Sequence, residues 1–204
     1  MKLGKKAMEA LQAEMTGKLQ NGDVLVVIGA VALKGTVVIA EKGYDVLCQY
    51  FSKGFLEDCR KLWENYGVGE DAEHSQAWNM AQEAGASALC VIEKGGILSA
   101  LWKMAEVSQV GLSVDLRKIP IRQETVEVCE RYQLNPYKMM SGGAILLGIH
   151  GGESLVQACH QLGIPAAVIG QVQEGNERLL YSGANSRYLE RPAADEMRKL
   201  KWRD

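Results

Sequence analysis

The sequence predicts an α/β (α+β) fold in which a mixed β-sheet is covered by helices. Three observations predict it. Apolar runs of strand length recur along the chain, segments with helical spacing lie between most of them, and no long structureless stretch intervenes. Of 204 residues, 47% are hydrophobic and 24% charged, the usage of a soluble globular domain with a well-formed core.

Taken in order, residues 5 to about 16 read as a short amphipathic helix, and Asn21-Gly22-Asp23 turns into the buried strand Val24–Ile28. Gly29 starts a turn, and Ala30 to Ala40 reads as helix or irregular. Phe55, Leu56, Cys59, Leu62 and Trp63 give a helix that ends by Tyr66; Gly67, Gly69 and Glu70-Asp71 interrupt the pattern before His74–Glu83 resumes it. Ala88–Ile92 is a strand running through Gly95-Gly96 into a helix with Ile97, Leu98, Leu101 and Ala105 on one face. Leu112, Val114 and Leu116 alternate with Ser113 and Asp115, as in a half-buried strand.

Pro120 leads into a helix over about 123–132, which Asn135-Pro136 ends. Strand Ala144–Ile149, helix Glu153–Leu162 and strand Ala166–Val172 follow, and Glu174-Gly175-Asn176 predicts a hairpin turn into Leu179–Tyr181. The chain thus divides into an N-terminal helical segment (1–20), one α/β domain (21–186) and a charged tail (187–204). The tail's apolar anchors are Tyr188, Leu189, Met197 and Trp202.

A net charge of -2, with Lys and Arg scattered, gives no electrostatic case for nucleic acid or an anionic membrane, and both are set aside as partners. Lys2, Lys5 and Lys6 precede mixed Glu, Gln and apolar residues rather than a secretory hydrophobic stretch. The near-apolar run Leu25–Leu33 is too short to span a bilayer. The expected compartment is the cytoplasm. Cys48, Cys59, Cys90, Cys129 and Cys159 stand singly, as buried thiols of a reducing compartment do, and no metal site is expected.

The motif with the most chemical content is Lys94-Gly95-Gly96. The first amides of a helix lack intrahelical partners and carry the positive end of its dipole; glycines admit a ligand to the backbone, and Lys94 adds a mobile charge. The same strand, Gly-Gly, helix order also serves as a tight connection chosen for backbone geometry, and spacing alone favours that. Ser141, Gly142 and Gly143 precede a strand and either line the same cleft or make a sharp bend. His150 reads as a loop histidine, His74 and His160 as surface residues, Glu70-Asp71-Glu73 as a solvated loop, and Trp102 as a core or dimer-packing residue. No Ser or Cys stands in a recognisable nucleophile elbow, so no catalytic residue is assigned.

The motif order carries a family resemblance. Lys94-Gly95-Gly96 leads into a helix ending Ala105-Glu106; Val110-Gly111-Leu112, Ile119-Pro120-Ile121-Arg122, Leu134-Asn135-Pro136, Ser141-Gly142-Gly143 and Ala167-Val168-Ile169-Gly170-Gln171-Val172 follow. Over roughly residues 20 to 200 the chain resembles the C-terminal domain of the PurM-like (AIR synthase-related) superfamily, closest to the hydrogenase maturation factor HypE and its relatives. The tail Arg187-Tyr188-Leu189-Glu190-Arg191-Pro192-Ala193-Ala194-Asp195-Glu196 is similar to theirs.

The resemblance implies a dimer and a phosphate or substrate near Lys94, Gly95 and Gly96, with Ser141, Gly142 and Gly143 as the further candidate ligand-binding residues. It implies ATP and magnesium only with an N-terminal domain, for which the first 20 residues are too few, so no cofactor is expected on this chain. Where the family commonly has an Asp ahead of the glycine pair, this chain has Val91, which cannot bind a cation or accept a proton. The ending Lys201-Trp202-Arg203-Asp204 lacks the reactive cysteine with which HypE ends. The expected function is a stand-alone, catalytically incomplete domain that binds a phosphate-bearing small molecule or a partner protein. The alternative is one half of a split ATP-dependent enzyme, with the N-terminal domain on another chain.

Overall fold

The computed structural model describes residues 4–69 and 71–201. Its strands are β1 (Thr16–Gly17), β2 (Val24–Ile28), β3 (Ala88–Val91), β4 (Gly111–Asp115), β5 (Ile145–Ile149), β6 (Ala166–Gln173), β7 (Arg178–Ser182) and β8 (Asn185–Tyr188). They form one sheet in the order β1-β3-β5-β2-β6-β4-β7-β8. Neighbours pair antiparallel except β4 and β7, which run parallel. The predicted class, a mixed sheet with helices upon it, is the observed one.

The helices are α1 (Lys5–Gln12), α2 (Leu33–Lys42), α3 (Tyr44–Leu47), α4 (Lys53–Tyr66), α5 (Gln76–Glu83), α6 (Gly96–Ser108), α7 (Gln123–Arg131) and α8 (Glu153–Gln161). Because side chains alternate across a strand, Leu25 and Val27 of β2 face α6 while Val26 and Ile28 face α5 and α8. Both faces of β2 and β5 are therefore dry, which is why they read as unbroken apolar runs. Each fully buried Leu or Ile contributes on the order of 2 kcal/mol. A further cluster packs α2, α4 and α7 through Ile39, Leu56, Cys59, Val128 and Met139. The stretch read as helix or irregular is α2, whose N-cap Ala32 sits at φ 63. That left-handed turn is invisible in an alanine.

Two local expectations change. The first helix stops at Gln12, and Thr16–Gly17 instead pair with Leu89 and Ala88 at the sheet edge. Gly17 is at φ 74 against the Ser87 carbonyl, so any side chain would clash.

The second is a correction: Glu174-Gly175-Asn176 does not close a hairpin, because β4 lies between β6 and β7. The loop crosses the start of β4 at Gly111, where an added β-carbon would meet the Glu177 oxygen at 2.8 Å, and Leu112 N donates to that oxygen at 2.8 Å. The hairpin is β7–β8, turned at Gly183 with φ 65.

After β8 the chain crosses the surface to a short 3-10 turn at Glu196–Lys199. Leu189 is buried and Met197 packs on the helical cluster, whereas Tyr188 is 64% exposed. Trp202 and Glu70 lie outside the described residues. No helix among the described residues is long and apolar enough to cross a membrane.

Candidate ligand-binding cleft

Backbone pairing holds the end of β3 one residue beyond Val91: Ile92 N donates to Ala144 O at 2.8 Å and Gly142 N to Ile92 O at 3.0 Å. Glu93 and Lys94 then leave the sheet, both exposed. Gly95 at φ 83 and Gly96 at φ 66 turn the chain into α6. A β-carbon on Gly96 would sit 2.6 Å from Tyr137 O and 2.7 Å from Met139 O, so this glycine lets two backbones touch. The Gly95 amide, the donor expected to face an anion, donates to the Asp195 carboxylate at 2.7 Å.

Ser141 is fully buried, and its hydroxyl accepts from Ala32 N at 2.8 Å. Its carbonyl accepts from Lys34 N, and that of Met140 from Gly35 N. The start of α2 is thus closed by the chain itself, and Ser141 acts as a cap from a distant segment. Gly142 (φ 55) lies against the Lys34 stem and Gly143 (φ 69) against the Trp63 indole nitrogen; both turns require glycine.

Two adjoining clefts open at the end of β3, with Val91, Glu93 and Glu73 in the walls of both. One, of about 330 Å³, adds Glu14, Met15, Cys90, Lys94, Gly96, Ser99, Ala100 and Lys103. The other, of about 370 Å³, adds Lys34, Trp63, Asp71, Ala72, Gly142 and Gly143. Lys103 is held by Glu14 at 2.6 Å, and Lys34 stands 5.1 Å from the centre of the Trp63 ring. The Trp63 indole N–H is buried without an acceptor.

Cys90 is a poor nucleophile. Burial pushes its thiol up to about 12, more than the nearby Lys103 charge offsets, so at neutral pH it stays protonated. At the rim His74 Nδ1 meets Asp71 Oδ2 at 2.8 Å, and this hydrogen bond raises the imidazole above its usual range. Among the described residues, no group of three or more His, Cys, Asp or Glu is placed to hold a metal ion. The walls offer cations, carboxylates and glycine backbone: groups that bind and orient.

Of the residues read from the sequence, Lys94, Gly96, Gly142 and Gly143 line the paired clefts. Gly95 faces the tail instead, and Ser141 lies beneath the floor. His150 is exposed, and His160 Nε2 bonds the Ala166 carbonyl at 2.8 Å. Trp102 is core, with the Arg178 and Arg191 guanidiniums over its ring. Sequence reasoning missed Lys34, Trp63 and Asp195. The acidic loop, read as merely solvated, places Asp71 and Glu73 at the cleft walls. The Ala-Ala-Asp-Glu of the tail was the available signal for Asp195.

Comparison with known proteins agrees with this architecture. The chain is 26% identical over 138 residues to carbamoyl dehydratase HypE of Rhodobacter capsulatus, covering 68% of this chain and 36% of that protein. It is 22% identical over 190 residues to a putative hydrogenase expression/formation protein of Methanocaldococcus jannaschii, covering 89% and 52%. The chain thus spans about half or less of the length of these relatives. Among solved structures, E. coli HypE, a hydrogenase maturation protein, superposes with a TM-score of 0.65 at 20% identity, over 87% of this chain and 52% of that one. Thiamine-monophosphate kinase of Stenotrophomonas maltophilia gives 0.60 at 18%, over 83% and 53%. These two share the fold. The family model for the AIR synthase related protein, C-terminal domain, matches residues 20–181, and the chain belongs to that family.

Proposed function

We propose that this chain is a ligand-binding domain that holds a phosphate-bearing small molecule in the paired cleft and completes no reaction by itself. One observation carries the reading: Lys34, in the first turn of α2, and Lys94, ahead of α6, flank one floor built by Val91 and Glu93. Two exposed lysines contribute roughly 1 kcal/mol each to holding a phosphate. Glu73 and Glu93 between them favour a phosphate ester that also carries hydroxyl or amino donors over a bare anion. Val91 supplies no carboxylate and the protonated Cys90 no thiolate nucleophile at that floor.

A second reading rests on the share of its relatives that the chain spans, 36% and 52%. In it, a separate chain supplies an N-terminal domain with ATP and magnesium, and the pair acts in hydrogenase maturation. A solved neighbour at a TM-score of 0.63 is a complex of HypE with HypF, which lends weight to a protein partner. A homodimer in the cytoplasm is part of both readings; sedimentation at micromolar concentration should give a two-chain mass, and a monomer there removes the dimer.

The test is a thermal-shift screen against ATP, ADP, AMP, phosphate and aminoimidazole-type ribotides, with and without magnesium. A ligand at about a hundred times its dissociation constant adds ~2.7 kcal/mol. A phosphate-dependent shift supports the first reading. Silence across the panel rejects it and leaves the second, for which co-purification with an N-terminal-domain chain is the corresponding assay.

A further inference from the structure

We propose that the segment 189–200 is an autoinhibitory strap, with the Asp195 carboxylate standing where an anionic ligand group of the cleft would reach the start of α6. This rests on the proposed ligand reading and adds regulation to the same site.

The strap is held by contacts of two kinds. Leu189 is buried in the core beneath α6, and Met197 and Leu200 pack against the helical cluster. Between them stand two carboxylates. Asp195 Oδ2 accepts from Gly95 N at 2.7 Å while its Oδ1 accepts from Met197 N at 2.9 Å. Glu196, 6% exposed, accepts from Asn135 N at 3.1 Å and from Lys199 at 2.6 Å.

The two acids do different work. Glu196 ties the strap to the segment ahead of Pro136, away from the cleft. Asp195 holds the amide of Gly95, which faces the groove under the strap, while its neighbours Lys94 and Gly96 line the cleft. Ser99, one turn into α6, touches the cleft on one side and the groove under the strap on the other. A carboxylate and a phosphate oxygen make the same charge-assisted bond to an amide, so the two exclude each other there. Ligand arrival at Gly95 therefore frees the middle of the strap, and strap binding weakens the ligand by the same factor.

The test pairs calorimetry with hydrogen exchange, using inorganic phosphate as probe on the wild type, Asp195→Ala, Asp195→Asn and Glu196→Gln. The proposal expects phosphate to bind Asp195→Ala at least about fivefold more tightly than wild type, with Asp195→Asn between them. It also expects phosphate to speed exchange at residues 193–198 of the wild type while slowing it at 94–97. Glu196→Gln should loosen the strap's hold on Asn135 and tighten phosphate binding less than Asp195→Ala does, because the Gly95 amide keeps its carboxylate.

Equal or weaker binding by Asp195→Ala overturns the strap. If wild-type phosphate binding is lost in Lys94→Ala but unchanged in Asp195→Ala, the ligand site stands and the strap alone falls. If phosphate binds neither wild type nor Asp195→Ala, the strap falls, and the ligand site is decided separately by the phosphate esters of the thermal-shift panel.

Discussion

The Ser141 hydroxyl accepts the Ala32 amide at 2.8 Å, joining segments 109 residues apart in a fully buried contact. It fixes the left-handed turn at Ala32 and so aims α2, with Lys34 in its first turn, at the cleft. Ser141→Ala leaves a buried amide unpaired and should cost about 1–2 kcal/mol, read from the urea midpoint at unchanged slope. A cost near zero would mean that Ser141 does not cap α2.

Gly96 and Gly163 share a positive φ but differ in surroundings. Gly96 meets two carbonyl oxygens where a β-carbon would stand, whereas nothing lies within 4 Å of that position at Gly163. Gly163→Ala should cost only the left-handed penalty, about 1–2 kcal/mol. Gly96→Ala adds a backbone clash that must push α6 from the 137–139 segment, and should cost more than about 3 kcal/mol or abolish folding. Equal costs in thermal denaturation would refute the close approach.

These two residues show how far the sequence could be read. Val24–Ile28, Ala88–Val91 and Ile145–Ile149 were legible as strands because burial on both faces writes an apolar run. The Gly95-Gly96 turn was legible because a strand meets a helix there. What the glycines face was not: Asp195 and the backbone at 137–139 arrive from far along the chain. The crossing of β4 by the Glu174–Glu177 loop was likewise hidden, since a turn sequence records local dihedrals and not which strand lies beneath it. Gly111 was its only local trace.

Thiol reactivity should separate one cysteine from four. Cys48, expected from the sequence to be buried, is exposed, while Cys59, Cys90, Cys129 and Cys159 are buried as expected. Burial pushes the Cys59, Cys90 and Cys129 thiols up to about 12 and raises that of Cys159. A chromogenic disulfide reagent at pH 8 should titrate one thiol quickly and the other four only in denaturant. Fast reaction of Cys90 would show that the cleft floor opens.

The His74–Asp71 pair gives a pH signature. The hydrogen bond to Asp71 raises the folded-state pKa of His74 above its unfolded value. The pair's contribution to stability is therefore fully present below the unfolded pKa and is lost as pH rises through the higher folded value. With side chains 81% and 69% exposed, the effect on stability is small, and the readout is the imidazole itself. Its proton resonances should titrate above the usual histidine range and return to it in Asp71→Asn; an unmoved midpoint in that variant refutes the contact.

The most direct test of the cleft as a ligand site is calorimetric titration of the best phosphate-bearing ligand into wild type, Lys94→Ala, Lys34→Ala and Lys118→Ala. Lys94 and Lys34 line the paired clefts, whereas Lys118 lines a separate hollow on the open face of β4 and β6. Lys94→Ala and Lys34→Ala should each weaken binding about fivefold or more, roughly 1 kcal/mol, while Lys118→Ala should leave it unchanged. Unchanged affinity in both cleft variants would rule out the paired cleft and place the ligand elsewhere on the chain.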